Sequence, residues 1–192
     1  MSIAIIASMT YGAVTVPILH EFKPDNIHHL VTHSEAKLLF TDSSIWENLD
    51  IASMPELIGV LKVSDYSMLH SRSEELTLAR HKLNELFGRK YPERFTRDDV
   101  KYYEPQADEL ALMNYTSGST GFSKGVMLSH RAMWSNVKFC IENLDILKAG
   151  DGIICMLPLA HMFGLVIEML HTVVKGCHVY FLTRIPSPKI IM

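Results

Sequence analysis

The chain has 192 residues, 48% of them hydrophobic and 20% charged, with a net charge of −3 when histidines are neutral. That length supports one large domain or two subdomains with a real core, and the composition excludes a disordered chain. No stripe of Lys and Arg offers a nucleic-acid surface, and polar residues interrupt the longest apolar runs, "GVMLSHRAMW" and "FGLVIEMLHTVVKG", well short of a membrane span.

The start, "MSIAIIASMTYGAV", lacks the charged flank and cleavage site of an export signal and reads as a buried helix. Gly12 to Leu19 is a β-branched run and reads as a buried strand. Pro24 and Asp25 mark a helix start, with Ile27, Leu30 and Val31 on one apolar face. His29 and His33 have the i, i+4 spacing that can bind a metal, but no third ligand is in sight. "AKLLFTD" is a short strand, "SSIWENLDIA" a helix with a serine cap, and "LIGVLKVS" another strand.

From Ser71 to Glu104 the texture changes to charges of both signs. Leu76, Leu78, Leu83 and Leu86 give a helix with an incomplete apolar stripe, a solvated surface excursion between two parts of one sheet. Alternation then resumes. "ELALMNYTS" is a strand, and a glycine loop leads into the helix "SHRAMWSNVKFCIENLDI", capped by Ser129. "DGIICMLPL" is a strand, "FGLVIEMLHTVVKG" a helix ending at Gly176, and "CHVYFLT" a strand. "SPKIIM" is the first turn of a further helix, with Ser187 as cap and Pro188 at its first position.

Strands separated by helices of this length predict an α/β fold, a mostly parallel sheet with helices on both faces. Cys140, Cys155 and Cys177 are scattered, odd in number and set in apolar contexts. They read as reduced core cysteines of a cytoplasmic protein.

The chemistry lies in "YTSGSTGFSKGVMLSH", Tyr115 to His130. Glycines let a backbone approach a ligand, hydroxyls and exposed N–H groups donate to phosphate oxygens, and Lys124 adds a mobile positive charge. Two familiar phosphate motifs fail. The Walker loop needs Gly before and Ser or Thr after its lysine, whereas Ser123 and Gly125 flank Lys124. The dinucleotide fingerprint needs a glycine two places after Gly118, where Thr120 stands.

The same stretch resembles the signature loop of the AMP-forming adenylating enzymes, which include acyl-CoA synthetases, luciferases and peptide-synthetase adenylation domains. The match runs through Tyr115, Thr116, Ser117, Gly118, Ser119, Thr120, Gly121, Lys124, Gly125 and His130; many members carry proline where Ser123 stands. "MLPLAHMFG", Met156 to Gly164, resembles the next motif of that family, in the form "LPLAHMF" of long-chain fatty acyl-CoA synthetases. "YGAVTVPI" sits where the family has its upstream strand, so only the charged excursion lacks a counterpart.

The resemblance implies a two-step reaction. A fatty carboxylate attacks the α-phosphate of ATP, giving an acyl-adenylate and pyrophosphate, and the thiol of coenzyme A then takes the acyl group. By family position Thr116, Ser117, Gly118, Ser119, Thr120 and Gly121 line the phosphates with Lys124. Thr116 would also bind magnesium, and His161 would stand at the junction of carboxylate and adenylate. The alternative for His161 is a helix cap beside Pro158.

Family members also carry a Tyr-Gly-x-Thr-Glu segment for adenine and magnesium, a Thr-Gly-Asp segment for ribose, and a mobile C-terminal lid domain with a lysine. None is present; "AGDG" at Ala149 to Gly152 precedes a strand and is in the wrong place. The expectation is therefore a partial N-terminal AMP-binding domain over 1–192, inactive alone. The competing reading is a non-catalytic fragment that folds and self-associates as a homodimer.

Overall fold

In the computed structural model, residues 1–116 and 124–182 are described. The chain divides into two compact units, one of residues 1–12 and 21–104, the other of residues 13–20 and 105–192.

In the first unit, helix α1 (Ser2–Tyr11) buries only Ile5, and Ile3 is 70% exposed. The expected buried helix is thus half-wet, because its apolar residues run all round while a single face is covered. It ends at Gly12, whose φ of 86° suits glycine and whose added Cβ would meet the Tyr103 ring at 2.6 Å. Helix α2 (Pro24–His33) starts as expected, with Pro24 supplying φ and Asp25 in the first turn; Ile27, Leu30 and Val31 are its buried face. The His29 and His33 rings lie 5.6 Å apart, and among the described residues no cluster of three metal-ligating side chains forms.

Strand β1 (Leu38–Thr41) pairs in parallel with β2 (Gly59–Lys62), and β2 pairs antiparallel with β3 (Met68–Ser71) through a bulge at Val60/Leu61. Between β1 and β2, helix α3 (Ser43–Trp46) is four residues long, and its cap is Asp42, not a serine. The Asp42 carboxylate accepts from Ser43 N–H at 3.0 Å, a charge-assisted bond that a hydroxyl does not match.

Arg72 holds the rest of that connection. Its guanidinium donates from Nη1 to the carbonyls of Met54, Pro55 and Leu57 at 2.8, 3.0 and 3.2 Å, and from Nη2 to Ile51 at 2.8 Å. Beneath it Met54 and Leu57 are almost fully buried. The expected single helix of the excursion is two, α4 (Glu74–His81) and α5 (Leu83–Lys90), broken at Lys82. Neither buries a residue, as a solvated face requires.

In the second unit, the expected strand at Gly12 to Leu19 shrinks to one parallel bridge between Thr15 and Leu112. Thr15 N–H donates to Ala111 at 3.2 Å and its carbonyl accepts from Met113 at 2.9 Å; Pro17 has no N–H to extend the ladder. Strands β4 (Leu110–Thr116) and β5 (Lys124–Ser129) form an antiparallel hairpin. Helix α6 (His130–Asn143) begins where expected, with Ser129 Oγ accepting from Ala132 N–H at 3.2 Å and Met133, Val137 and Cys140 buried at helical spacing. Strands β6 (Gly152–Cys155) and β7 (His178–Phe181) pair in parallel. A π-helix, Phe163–His171, and the α-helical turn α7 (Thr172–Val174) join them. Gly176 closes that helix as expected, while the turn expected at Ser187 and Pro188 lies outside the described residues.

The α/β class holds, but the described strands form three small sheets instead of one, with two of the four pairings parallel. Cys140 and Cys155 are buried as expected; Cys177 is half-buried. Among the described residues no helix is long and apolar enough to cross a membrane.

Two consequences are measurable. Arg72→Ala leaves four backbone carbonyls without their cationic donor and should lower stability by roughly 2–3 kcal/mol in chemical denaturation, with Arg72→Lys recovering part of it. His171 is 1% exposed and its Nε2 has no partner. Burial, and secondarily the Lys175 ammonium, push its pKa below the usual value, against a bond to the Ile167 carbonyl. Its folded pKa lies under its unfolded one, so the stability it contributes is complete above about pH 6.5 and is lost as pH falls through the folded value. Urea midpoints should fall as the pH is lowered below about 6.5, and His171→Leu should flatten that part of the profile.

Candidate functional site

The hairpin fixes the two ends of the glycine loop. In the β4–β5 register Thr116 stands opposite Lys124, Tyr115 opposite Gly125 and Asn114 opposite Val126. Directly opposed residues have Cα atoms about 4.5–5.5 Å apart, so the Thr116 hydroxyl and the Lys124 ammonium leave neighbouring stems. Both residues are exposed. The other expected phosphate-lining residues, Ser117, Gly118, Ser119, Thr120 and Gly121, lie outside the described residues.

One expectation needs correction. The loop was read as leading directly from a strand into a helix, but β5 intervenes and α6 starts only at His130. The dipole of α6 acts within about a turn of its own end, and Lys124 stands six residues before that end, at the far end of β5. Strand β5 was legible in principle: "GVMLS" is an apolar run just before a cap residue, hidden behind the glycines.

The second expected site residue, His161, sits after β6 in a loop held at several points. The half-buried Glu168 of the π-helix reaches back, and its Oε2 accepts from Met156 and Leu157 N–H at 2.8 and 2.9 Å. His161 N–H closes a turn on the Pro158 carbonyl at 2.9 Å, and its own carbonyl accepts from Leu165 N–H at 3.0 Å. Gly164 lets the helix approach, since a Cβ there would lie 2.7 Å from the Pro158 carbonyl oxygen and 3.0 Å from that of Leu157.

The imidazole itself caps the helix, with Nδ1 accepting from Phe163 N–H at 3.2 Å. In the neutral ring the proton then belongs to Nε2. His161 is exposed, so capping does not exhaust it: Nε2 is the nitrogen that can meet a ligand.

Asn114 joins the two pieces. It is 6% exposed and its side-chain amide donates to the Ala160 carbonyl at 2.9 Å, one residue before His161. Thr116 lies two residues farther along the same face of β4, about 7 Å away. The loop stem and the histidine loop are therefore built on one strand. Neither Asn114 nor Glu168 was singled out by sequence, although each leaves a trace: an amide inside the strand "LALMNYT" and a lone carboxylate in "FGLVIEMLH".

Beside Glu168, Cys155 is held as a thiol. Burial, reinforced by the Glu168 carboxylate, pushes its pKa up to about 12, so it is not a nucleophile near neutrality. Glu168→Ala removes the charged acceptor of two exposed backbone N–H groups, which water partly replaces, and should lower stability by roughly 1 kcal/mol. Hydrogen exchange at the Met156 and Leu157 amides should accelerate with it, and Glu168→Gln, which keeps an acceptor oxygen, should restore part of the protection.

A family model described as AMP-binding enzyme matches residues 1–192. Long chain acyl-CoA synthetase 6, peroxisomal, of Arabidopsis thaliana is 30% identical over 182 residues, covering 91% of this chain and 24% of that protein. Long-chain-fatty-acid–CoA ligase 1 of Cavia porcellus is 30% identical over 178 residues, covering 90% and 25%. The chain thus spans about a quarter of the length of these relatives. Among solved structures, ATP-bound MatB from Rhodopseudomonas palustris superposes with a TM-score of 0.72 at 23% identity, over 99% of this chain and 34% of that one. That likeness gives the fold, and the family match over the full 192 residues gives the lineage: the chain belongs to the AMP-binding, adenylate-forming enzyme family.

Proposed function

We propose that this chain is the phosphate-handling part of an ATP-dependent acyl-CoA synthetase acting on long-chain fatty acids. The observation that carries the reading is the pairing of Thr116 with Lys124 at the mouth of the hairpin, on the strand that Asn114 ties to the His161 loop. The fatty-acid assignment draws on the two relatives at 30% identity, whose names specify long-chain acyl substrates, and on "LPLAHMF".

In the proposed reaction a carboxylate oxygen bonds to the α-phosphorus of ATP while the bond to pyrophosphate breaks, giving the acyl-adenylate. The coenzyme A sulfur then bonds to the acyl carbon and AMP leaves. Negative charge grows on the departing pyrophosphate, so fixed donors and a cation around it lower the barrier. Ser117, Gly118, Ser119, Thr120 and Gly121 supply the donors and Lys124 the cation. His161, with its proton on Nε2, donates to an oxygen at the carboxylate–phosphate junction and orients it.

The Thr116 hydroxyl is a hard oxygen on an exposed residue beside the loop, which fits magnesium in kind. When bound, magnesium would add positive charge on the phosphate oxygens. The sequence lacks the segments that would hold adenine and ribose, so we further propose that these 192 residues alone do not turn over. Its free cysteines suit a reducing, cytoplasmic setting.

Calorimetric titration with Mg-ATP and, separately, with pyrophosphate tests the phosphate role. Both should bind, weakly and with similar affinity, and Lys124→Ala should weaken each by about tenfold or more. Pyrophosphate binding that is absent, or unchanged in Lys124→Ala, would overturn it.

A further inference from the structure

Helix α5 carries an amphipathic stripe turned the wrong way for a core. Leu83, Leu86, Phe87 and, just past its end, Tyr91 fall at i, i+3, i+4 and i+8. Yet Leu83 is 50%, Leu86 43% and Phe87 47% exposed. The stripe continues beyond the helix as a cluster of three rings, with centroids 5.0 Å apart for Phe87–Tyr91, 5.3 Å for Phe87–Phe95 and 4.8 Å for Tyr91–Phe95. Together with Val100 and the stems of two lysines they line a shallow groove of about 420 Å³.

The charge around the groove is one-sided. Between Lys82 and Lys101 six basic side chains stand against four acidic ones, in a chain whose net charge is −3. Three of the four acids are engaged within the segment. Glu85 pairs with Arg89 and Asp98 with Arg97. Asp99 accepts from Thr96 N–H at 2.7 Å and from its hydroxyl at 2.9 Å, which holds its carboxyl below the usual range. Lys82, Lys90, Arg94 and Lys101 make no ion pair among the described residues, and Lys90 Nζ lies 5.4 Å from the centre of the Tyr91 ring. Long-stemmed cations at the rim of an exposed leucine and aromatic face can lie along the apolar surface with their heads in a charged layer.

We propose that this face, α5 with the following ring cluster, docks on an anionic lipid surface. The rings and leucines enter the boundary between headgroups and acyl chains, and the unpaired cations meet the lipid phosphates. Charge complementarity selects this occupant: a negatively charged chain presents its local positive patch to a negative surface. The apolar content separates lipid from other polyanions, because a nucleic acid would leave Leu83, Leu86 and Phe87 wet. The inference stands on the first unit alone and is independent of the phosphate role proposed above.

Co-sedimentation of the full chain with vesicles tests it, using phosphatidylcholine alone and phosphatidylcholine mixed with phosphatidylglycerol. The chain should partition onto the mixed vesicles in preference to the neutral ones, and added salt should weaken that binding. Leu86→Glu combined with Phe87→Glu should lower the partition constant by about tenfold or more, and so should Lys90→Glu combined with Lys101→Glu. Both lysines of the second pair are exposed, which keeps the test informative if the first pair disturbs folding. Equal retention on both vesicle types, or variants retained like the wild type, would overturn the proposal. So would lipid-independent dimers that Leu86→Glu with Phe87→Glu dissolves, since the face would then belong to a second copy of the chain.

Discussion

The second unit is organised around one buried hydrogen bond, from the Asn114 side-chain amide to the Ala160 carbonyl. An amide placed inside a strand at 6% exposure is costly unless it finds a partner, by roughly 1–3 kcal/mol, and a loop carbonyl has the same need. Each group satisfies the other, so the penalty of breaking the contact fixes the loop to the strand. Everything of chemical interest hangs from that junction. Thr116 lies two residues beyond Asn114, and His161 one residue beyond Ala160. Strand β4 is held at its other positions too, by the Thr15 bridge on one side and β5 on the other.

The π-helix supplies the second constraint. Its wider turn, with i→i+5 bonding, is uncommon and recurs near functional sites. Here it carries Gly164 against the Leu157 and Pro158 carbonyls at its start and Glu168 against two backbone N–H groups farther on. The Thr172 hydroxyl then donates to the Glu168 and Met169 carbonyls at 2.6 and 2.9 Å, satisfying acceptors near its end. The loop is thus clamped by backbone and carboxylate contacts, and among the described residues the His161 ring meets one partner, the Phe163 N–H. Burial keeps the neighbouring Cys155 a thiol, and the same carboxylate that anchors the loop reinforces this by opposing a thiolate.

Elements whose signals are local were legible in the sequence. Pro24 and Ser129 start helices because a fixed φ and a side-chain acceptor act within one turn. Gly176 ends one for an equally local reason. What failed was long-range. The run from Gly12 to Leu19 has strand composition, but its ladder depends on a partner and on Pro17, so one bridge survives. The strands read as a single sheet separate into three because pairing is decided by which edges meet, not by alternation along the chain. At the candidate site the stem residues Thr116 and Lys124 could be picked out from their own neighbours, whereas Asn114 and Glu168 act through backbone groups distant in sequence, and nothing next to them in the chain signals those partners.

The hairpin changes the electrostatic account of the loop. Many phosphate sites share the load between backbone N–H groups, a helix N-terminus and a lysine, so no single charge is decisive. Here β5 moves the start of α6 six residues past Lys124, beyond the reach of its partial charge. Across the stem stands Thr116, which is neutral. Lys124 is exposed and has no ion pair among the described residues. Its charge is therefore screened by salt yet uncompensated by a carboxylate, which leaves it mobile and available. In the proposed phosphate role the positive charge would come from this one flexible side chain and from whatever cation the phosphates bring, so affinity for phosphate should vary with ionic strength far more than the fold does.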